Sequence, residues 1–560
     1  MKSLLLAGLL WSLGRCQSLP QKAVACLNRN GSMEVVEAEE CGAGDKAIAV
    51  ATFVNNINST GWSQLEVRAV RGGNVSDGQL AYAAGAVEGR ITADLIYYHW
   101  LNTVAGYCDG VGEYCQRLKA FLTRNWLWME QQIAARPTDP YWHQVSLIMQ
   151  QLTGLVDGYF RYVKKPHTSI DVSGFLMFQL AGDLEALEVV LNKPESKRRK
   201  VQGSGSCSAL IKVLAGNEDI LFAHDTWSTY QSMLRVLKLY QLPYHQRPYG
   251  KKGKVAAESV SFSGYPGTLP SIDDFYLTSA GLAVTETTIG NANESLWKFV
   301  QPEGQVLTWI RAQVATRLAN SAMGWGRVFK KKSSGTYNNQ WMVVDYKKFI
   351  PGQALPDNDL FMVLEQIPGL VIMKDQTQHL KTQAFWPSYN VPFYPEIFNR
   401  SGIWPKVAKF GDWFTYDRTP RALIFKRDAP SVKDLDSLRT LMRSNNYQTD
   451  PLSRCNCTPP YSAENAISAR CDLNPANGSY PFASLGHRSH GGIDMKATSF
   501  HLMKSLSFVA VSGPTWQEPM PVFAWSHSEF PGATPHFGHP DQWRFDPITV
   551  HWGCAFDCPL

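Results

Sequence analysis

The most constraining feature of the sequence is an abrupt junction near its middle, where the run Gly203–Ser206 ends at Cys207. Upstream, from about Gln79 to Leu191, apolar residues recur every three or four positions, which predicts a set of helices. Downstream, from Ser208, short apolar runs separated by turn residues predict strands, with further helices between some of them. Helices in one half, and sheets flanked by helices in the other, predict an α+β layered fold.

The same patterns predict the elements that border the junction. Lys193–Ser206 has no apolar periodicity, so we expect an exposed, mobile loop there. The runs SALIKVL and ILFAHDTW, joined by AGNED, predict a β-hairpin, and a helix is expected over Ser228–Leu242. The chain is therefore expected to comprise a signal peptide (1–18), a mostly helical fragment (19–192), a cleavable linker (193–206) and a sheet-rich fragment (207–560), with both fragments in one globular unit.

The first residues are typical of a secretory signal peptide. A lysine at position 2 precedes an apolar run from Leu4 to Leu13 that is too short to span a bilayer, and small and polar residues follow up to Ser18. No later run approaches the ~20 apolar residues of a membrane helix, so we expect a soluble, lumenal protein. The formal net charge of +6 is not gathered into a basic stripe, which argues against a nucleic-acid-binding protein.

Potential glycosylation sites and cysteines both favour the secretory pathway. Seven Asn-x-Ser/Thr sequons occur, at Asn30, Asn58, Asn74, Asn293, Asn399, Asn456 and Asn477. Cysteines lie close together at 108/115 and at 554/558, as in local disulfides, and the Cys-x-Cys at 455/457 lacks the usual spacing of zinc ligands. The disulfide candidates are Cys108, Cys115, Cys455, Cys457, Cys471, Cys554 and Cys558.

Cys207 is distant in sequence from every other cysteine. If its thiol is kept for chemistry, nine cysteines remain outside the signal segment, so one more must also be unpaired. Cleavage after Ser206 would give Cys207 an α-amine, whose pKa of roughly 7.7–8.0 in model compounds suits a proton acceptor for the thiol. The glycine–serine run would give the backbone the freedom that attack on the preceding carbonyl requires.

Three other interpretations of the junction stay open on the residues alone. An isolated buried cysteine is usually only a small apolar residue. The basic run Lys197–Lys200 is also an ordinary convertase site, so cleavage there would leave Cys207 inside the chain. A papain-type protease would place its cysteine at the start of a helix, whereas Cys207 precedes a strand.

Longer strings resemble one known family. GSGSCSALIK, AHDTW, ETTIGN, SGTYNNQWMVVDYK, ENAISAR, DLNPANGSYPF and SHGGIDMK are together similar to the phospholipase B-like family of lysosomal proteins, from about residue 50 to about 550. The resemblance implies an N-terminal nucleophile hydrolase, a four-layer αββα sandwich and autocatalytic cleavage before Cys207.

Carried over position by position, the resemblance makes Cys207 the nucleophile. It implies that His224 tunes the thiolate or orients the amine, and that Asn390 donates a hydrogen bond to the tetrahedral oxyanion. Without the family, His224 is equally well explained as a hydrogen-bonded, half-buried histidine, and Arg421 as an exposed arginine. The return strand of the hairpin is expected to bring its side chains alongside Cys207. The further pocket residues are Asp225, Trp227, Thr287, Thr288 and Arg421.

The resemblance implies removal of acyl chains from phospholipids through a thioester on the cysteine, without a cofactor. Superfamily members that cleave bile-acid or ceramide amides have an arginine and an aspartate shortly after the nucleophile, where this chain has His224 and Asp225. An N-acyl amide hydrolase and a catalytically weak lipid-binding protein therefore stay open.

The remaining expectations concern metals, location and partners. His527, His536 and His539 lack the carboxylate arrangement of a metalloprotease, so we expect no metal there. The expected location is the lysosomal lumen, with secretion as the alternative. Glycans would offer a signal for a sorting receptor, the substrate would be a lipid or N-acyl compound, and a homodimer is left open.

Overall fold

The computed structural model describes residues 19–72, 74–162, 170–198, 207–248, 253–518, 520–530, 532 and 534–553. The expected signal peptide, Ser206, Cys554 and Cys558 lie outside these ranges. The strands are β1 Gln21–Leu27, β2 Met33–Val36, β3 Lys46–Asn56, β4 Trp62–Ala69, β5 Cys207–Val213, β6 Ile220–Thr229, β7 Val236–Gln241, β8 Ser259–Gly264, β9 Phe275–Thr278, β10 Leu282–Thr288, β11 Asn339–Asp345, β12 Phe361–Ile367, β13 Leu370–Asp375, β14 Phe385–Ser388, β15 His490–Gly492, β16 Asp494–Thr498, β17 Phe508–Ser512 and β18 Ile548–Val550.

The α-helices fall into an N-terminal group and a C-terminal group, separated by β5 to β10. They are α1 Ile57–Thr60, α2 Asp77–Ile91, α3 Ala93–Thr103, α4 Gly112–Ala135, α5 Pro140–Tyr162, α6 Val172–Gln179, α7 Ala181–Val190, α8 Thr308–Leu318, α9 Ala322–Phe329, α10 Thr377–Gln383, α11 Pro395–Arg400, α12 Trp404–Phe410, α13 Pro420–Asp428, α14 Leu435–Met442 and α15 Phe500–Met503.

Two sheets form the centre of the molecule. The first has the order β13-β12-β11-β10-β9-β8-β7-β4-β3-β1-β2, and the second has the order β14-β5-β6-β16-β17-β18, with β15 also paired to β6. Alternate residues of both sheets share one apolar core, in which Ala209 and Ile211 of β5 meet Phe275 and Val363 of the first sheet. The sheets therefore pack face to face.

Helices cover the outer face of each sheet. On the first sheet, α2, α8 and α9 pack over residues such as Ala49 and Val284. On the second, α13 and α14 pack over Leu210 and Met495. The order helix, sheet, sheet, helix confirms the predicted four-layer αββα sandwich.

Several local predictions are confirmed and others are wrong. The hairpin of β5 and β6 forms as expected, with Cys207 opposite Thr226. The helix expected over Ser228–Leu242 is wrong, because this segment ends β6, makes a short turn and forms β7. That strand pairs with β4 on one side and β8 on the other. Strands β1 to β4, between residues 21 and 69, were not predicted.

The expected loop before the junction is only partly correct. Lys193 is buried, with its ammonium 2.7 Å from Glu188 Oε1 and 3.7 Å from the ring centroid of Tyr107. Glu195–Lys197 then form a single 3₁₀ turn. The chain is therefore anchored up to this turn, because a buried ammonium with its own carboxylate partner fixes the end of the helical layer. The glycine–serine run lies outside the described residues.

Candidate functional site

Cys207 is the first residue of β5 and lies buried between the two sheets. Its backbone N–H donates to Asn390 Oδ1 at 3.1 Å, and its carbonyl accepts a hydrogen bond from Arg421 Nη1. Burial raises the pKa of the Cys207 thiol well above its usual value, and the nearby Glu286 raises it further. The backbone N–H of Trp227 and the charge of Lys496 act in the opposite direction. In the uncut chain the thiol is therefore protonated.

Asn390 is placed by the end of β14. Ser388 of that strand pairs with Ala209, so the chain just beyond it reaches the start of β5. Asn390 has φ = 68°, a left-handed conformation that asparagine tolerates better than most residues. Its Oδ1 accepts from Cys207 N–H and, at 2.7 Å, from Arg421 Nη2, while its Nδ2 donates to Thr288 O at 2.7 Å. The side-chain NH₂ expected at an oxyanion thus bonds the backbone here.

Thr287 and Thr288 lie at the end of β10 and complete this corner. The Thr287 hydroxyl is 2.7 Å from the Ser388 hydroxyl and accepts from Asn390 N–H at 3.2 Å. Thr288 contributes its carbonyl to Asn390. Both threonines therefore hold Asn390 against the N-terminus of β5.

Arg421 is buried, so the alternative interpretation of it as an exposed arginine is wrong. Its guanidinium bonds Cys207 O and Asn390 Oδ1, and lies 3.3 Å from Ser208 Oγ and 4.3 Å from the ring centroid of Trp227. These four contacts on one planar cation connect the Cys207 carbonyl to the side chains of Asn390, Ser208 and Trp227. The Trp227 indole N–H is itself anchored on Ile467 O at 3.1 Å.

His224 shares the inner face of the hairpin with Cys207. Burial lowers the pKa of His224 well below its usual value, and the charge of Lys496 lowers it further. Lys496 Nζ lies 3.1 Å from His224 Nδ1, 2.6 Å from Thr226 Oγ1 and 2.7 Å from Asp494 Oδ1. His224 is therefore a neutral imidazole, which tunes its surroundings by hydrogen bonding rather than by charge.

Asp225 faces away from the thiol, because successive side chains of β6 alternate between the two faces of the sheet. It lies against Gly492, where an added Cβ would come within 2.7 Å of Asp225 Oδ1. Burial raises the pKa of Asp225 well above its usual value, and the nearby Asp494 raises it further. Asp225 thus supports the layer behind the site and does not line it.

Sequence reasoning missed a group of buried acids beside the thiol. Strand β9 begins at Phe275, which pairs with Thr285 of β10. The last residues of β10 therefore extend beyond the start of β9, and the turn that precedes β9 lies next to them. Glu286 comes from β10 and Asp274 from the turn, and burial raises the pKa of both. Tyr337 OH lies 3.3 Å from Glu286 Oε1. The string ETTIGN contains Glu286, but the sequence pattern does not show whether the side chain of an acidic strand residue lies in a site or in solvent.

Lys496 and Asp494 were also missed, although both lie in the SHGGIDMK string. Their ion pair continues to Arg235 and Asp273: Arg235 Nη1 is 2.8 Å from Asp494 Oδ2, and Lys496 Nζ is 3.7 Å from Asp273 Oδ2. All four side chains are fully buried. Two cations and two carboxylates therefore form a balanced network below the thiol.

The cysteine predictions have mixed outcomes. Cys108–Cys115 and Cys455–Cys457 are disulfides, and Cys26–Cys41 is a third. Listing Cys471 as a disulfide candidate is wrong, because its buried thiol lies 2.7 Å from Glu464 Oε2.

The sequons differ in accessibility. Asn30, Asn58, Asn74, Asn399, Asn456 and Asn477 are exposed. Asn293 is half-buried, and its side-chain amide donates to Arg400 O at 3.0 Å while accepting from Ser295 N–H at 3.1 Å. Glycosylation of all seven stays a prediction, and Asn293 is the position where a glycan would have to replace existing hydrogen bonds.

Two further observations concern the C-terminal histidines and the expected absence of a membrane helix. His536 stacks on Trp525 with ring centroids 4.2 Å apart, and His539 packs against Trp543, so these histidines belong to an aromatic cluster. Among the described residues, no helix is long and apolar enough to cross a membrane.

Comparisons with known proteins identify the family to which the chain is similar. A family model described as Phospholipase B matches residues 49–550. A phospholipase B-like 2 protein of Homo sapiens is 51% identical over 513 residues, covering 90% of this chain and 86% of that protein. Phospholipase B-like protein B of Dictyostelium discoideum is 36% identical over 518 residues, covering 90% and 86%.

Among solved structures, a penicillin V acylase from Agrobacterium tumefaciens matches with a TM-score of 0.31 and 12% identity, over 55% of this chain and 83% of the acylase. A conjugated bile acid hydrolase variant from Clostridium perfringens matches with a TM-score of 0.29 and 11% identity, over 55% and 89%. The family match covers most of the chain and includes β5, Asn390 and Arg421. The family is one of hydrolases, and this chain belongs to the Phospholipase B family.

Proposed function

We propose that the protein is an acyl hydrolase that activates itself by cleaving the Ser206–Cys207 bond and then removes acyl chains from phospholipids. The observation that carries this proposal is the setting of Cys207. A thiol lies at the first residue of a rigid buried strand, and its backbone nitrogen is already held 3.1 Å from the Asn390 carbonyl oxygen. A new α-amine at that nitrogen would stay beside the thiol.

In the proposed cleavage, the Cys207 sulfur attacks the carbonyl carbon of Ser206 and the C–N bond breaks. The nitrogen takes up a proton and becomes the α-amine, while Ser206 is left as a thioester on sulfur. Water then hydrolyses this thioester, which releases the carboxyl group of Ser206 and regenerates the thiol. Asn390 and Arg421 hold the N–H and the carbonyl of Cys207, on the C-terminal side of the bond that breaks.

In the proposed turnover, the α-amine accepts the thiol proton and the sulfur attacks the ester carbonyl carbon of the lipid. The leaving alcohol takes the proton back, and an acyl thioester stays on Cys207. The amine then activates a water molecule that hydrolyses the thioester to a fatty acid. Asn390 Nδ2 would exchange Thr288 O for the oxyanion, a contribution of roughly 3–4 kcal/mol when well placed.

Burial of Cys207 favours keeping a second candidate, a lumenal protein that binds lipid and turns it over weakly. Self-cleavage needs only the nucleophile and its own backbone, whereas turnover needs an opening to the thiol. The two candidates therefore differ in lipid turnover by the cut protein.

Phospholipid vesicles and an N-acyl amide, each offered to the cut protein, test the proposal. Release of fatty acid from the phospholipid that is lost in Cys207→Ala would support an esterase, and release from the amide alone would assign an amidase. Cut protein that releases no acyl group from either substrate would reject the enzymatic proposal in favour of binding.

A further inference from the structure

The thiol of Cys207 lies in a pocket of potential metal ligands. Cys207 Sγ, a ring nitrogen of His224 and a carboxylate oxygen of Glu286 all lie within 4.8 Å of one another, and all three residues are buried. Thiolate, imidazole and carboxylate are the ligand types of Zn²⁺. Tetrahedral zinc with bonds of about 2.0–2.3 Å places its ligands roughly 3.3–3.8 Å apart, so the pocket needs to contract by no more than about 1.5 Å.

Two of these side chains have buried atoms that are not otherwise used. His224 Nε2 and Glu286 Oε2 have no hydrogen-bond partner among the described residues. The opposite ring nitrogen, Nδ1, lies 3.3 Å from Thr226 Oγ1 and 3.1 Å from Lys496 Nζ. The three protons of that ammonium have closer acceptors in Thr226 Oγ1 and the two oxygens of Asp494, so Nδ1 can keep its own proton and donate it to Thr226 Oγ1. A histidine that donates from one nitrogen in this way is oriented to bind a metal with the other.

The balance of charges around the pocket is compatible with a bound divalent cation. Arg235 and Lys496 are matched by Asp273 and Asp494 in the network described above. Among the described residues, no lysine or arginine forms an ion pair with Asp274 or Glu286. Glu286, beside the thiol, and its neighbour Asp274 therefore lack a cationic partner, and either protons or one divalent cation must neutralise them.

A second cluster with the same ligand types provides a contrast. Glu464, Cys471 and His490 also lie within 4.8 Å of one another. There, however, Glu464 Oε2 already accepts from Arg488 Nη2 at 2.7 Å and lies 2.7 Å from Cys471 Sγ. A guanidinium on the carboxylate opposes a metal cation at that position.

We propose that Cys207, His224 and Glu286 bind one Zn²⁺ ion, and that the bound ion blocks the thiol. Binding displaces the proton of the thiol, which is released to solvent as the Zn–S bond forms. While the ion is bound, the sulfur lone pair is committed to the metal and cannot attack a carbonyl. The α-amine of Cys207 would supply a fourth ligand in the cut protein, and that part alone rests on the proposed function.

Cobalt provides the direct test, because a thiolate bound to Co²⁺ gives a charge-transfer absorption that oxygen and nitrogen ligands do not. Reduced full-length protein, uncut and cut, is titrated with Co²⁺ and then with Zn²⁺. We expect one equivalent of Co²⁺ to produce the thiolate band, and one equivalent of Zn²⁺ to abolish it and to stop self-cleavage. Glu286→Gln and His224→Gln should each weaken binding at least tenfold, and Cys207→Ser should remove the band.

Glu464→Gln is the matched control and should leave the band and the affinity unchanged. The proposal is overturned if stoichiometric Co²⁺ gives no thiolate band, if the band survives in Cys207→Ser, or if it is lost in Glu464→Gln. Binding to the uncut chain supports the three-ligand site even if cleavage never occurs, whereas cleavage without metal binding rejects only the metal site.

Discussion

At the scale of single residues, the site depends on buried side chains that each contact several groups. Arg421 shows this best, because one guanidinium bonds the carbonyl of the nucleophile, the amide oxygen of Asn390 and the face of Trp227. A buried cation with these contacts positions groups that would otherwise be free to rotate. Residue type alone predicted an exposed arginine, and only the family resemblance placed it in the pocket.

Arg421→Met should slow self-cleavage about a hundredfold, because Asn390 and the Cys207 carbonyl lose a charge-assisted hydrogen bond worth roughly 1.5–3 kcal/mol. The rate is measured by following the two fragments on a denaturing gel. Arg418→Met, at an exposed arginine paired with Asp412, is the control and should cleave normally. Equal rates in the two variants would contradict the role assigned to Arg421.

The residues that sequence reasoning missed share one property. Glu286 comes from the first sheet, Asp274 from the turn before β9 of that sheet, and Asp494 and Lys496 from the second sheet. The network that joins Asp494 and Lys496 to Arg235 and Asp273 forms only after both sheets have packed. Nothing in the local pattern of an isolated strand marks a charged residue that will be buried against a partner from another strand. The nucleophile was predictable because its signal, a glycine–serine run ending at a cysteine, is contiguous.

At the scale of elements, the helical layer is assembled by unusually close contact between α2 and α5. A Cβ added at Gly85 would lie 1.9 Å from Gln151 O, and one added at Gly154 would lie 1.9 Å from Tyr82 O. Backbone of one helix thus rests directly on the other, which no larger residue permits.

Gly154→Ala should therefore lower the free energy of unfolding by about 1–3 kcal/mol, since the added methyl forces the helices apart. Chemical denaturation measures the change. Gly112→Ala, at the start of α4 where an added Cβ meets nothing within 4 Å, is the control and should leave stability equal or slightly higher. Similar losses in both variants would show that the helix contact is not the cause.

Asp77, the first residue of α2, connects that helix to two other segments. Its carboxylate accepts from His143 Nε2 at 3.0 Å and from the His245 N–H at 2.9 Å, and it pairs with Arg71. Burial alone would raise the pKa of Asp77, but these three donors outweigh it and lower the pKa to about 2. The stabilisation is therefore complete above the unfolded-state value near 3.8 and is lost as the pH falls through 2.

Asp77→Asn should lower the free energy of unfolding by about 2 kcal/mol at about pH 5, and this difference should shrink as the pH approaches 2. Denaturation curves across that range test the prediction. Asp94→Asn, at an exposed position in the first turn of α3, should show little effect at any pH. A difference for Asp77→Asn that does not change with pH would mean that charge is not what stabilises this contact.

Elements were predictable where one period dominates. The short apolar runs of β5 and β6, separated by turn residues, and the three-to-four spacing in α4 and α5 each favour a single assignment. Ser228–Leu242 allows two assignments, because the spacing of its leucines and valine fits both a helix and a strand. The segment forms strand β7 because it pairs with β4 on one side and β8 on the other. This pairing is a tertiary effect that the local sequence does not predict.

At the scale of the whole molecule, the two fragments expected from cleavage share one sheet. Strand β4 of the N-terminal fragment pairs in parallel with β7 of the C-terminal fragment, and α5 packs on α8 across the same boundary. The three disulfides among the described residues each lie within one fragment. The fragments are therefore held together by the sheet and the core alone.

After cleavage the fragments should co-elute on gel filtration, because separating them would expose the core between β4 and β7. On a denaturing gel without reductant they should separate, since no described disulfide joins them. Cys207→Ala supplies the uncut reference. Separate elution under native conditions would contradict the shared-sheet description.

The four layers were predicted through the family resemblance rather than through spacing, which supported only an α+β arrangement. The strands at residues 21–69 escaped prediction because they complete the first sheet at its far edge, and their pairing with β7 is a long-range contact. The junction itself was visible in sequence because it is a local change of composition.

The central claim is that Cys207 becomes the N-terminus of the larger fragment. Intact-mass measurement and N-terminal sequencing of the mature protein test it most directly. The account predicts a fragment that begins Cys-Ser-Ala-Leu in the wild type and is absent from Cys207→Ala. A mature chain in which Cys207 is still bonded to Ser206, or is part of a disulfide, would contradict it.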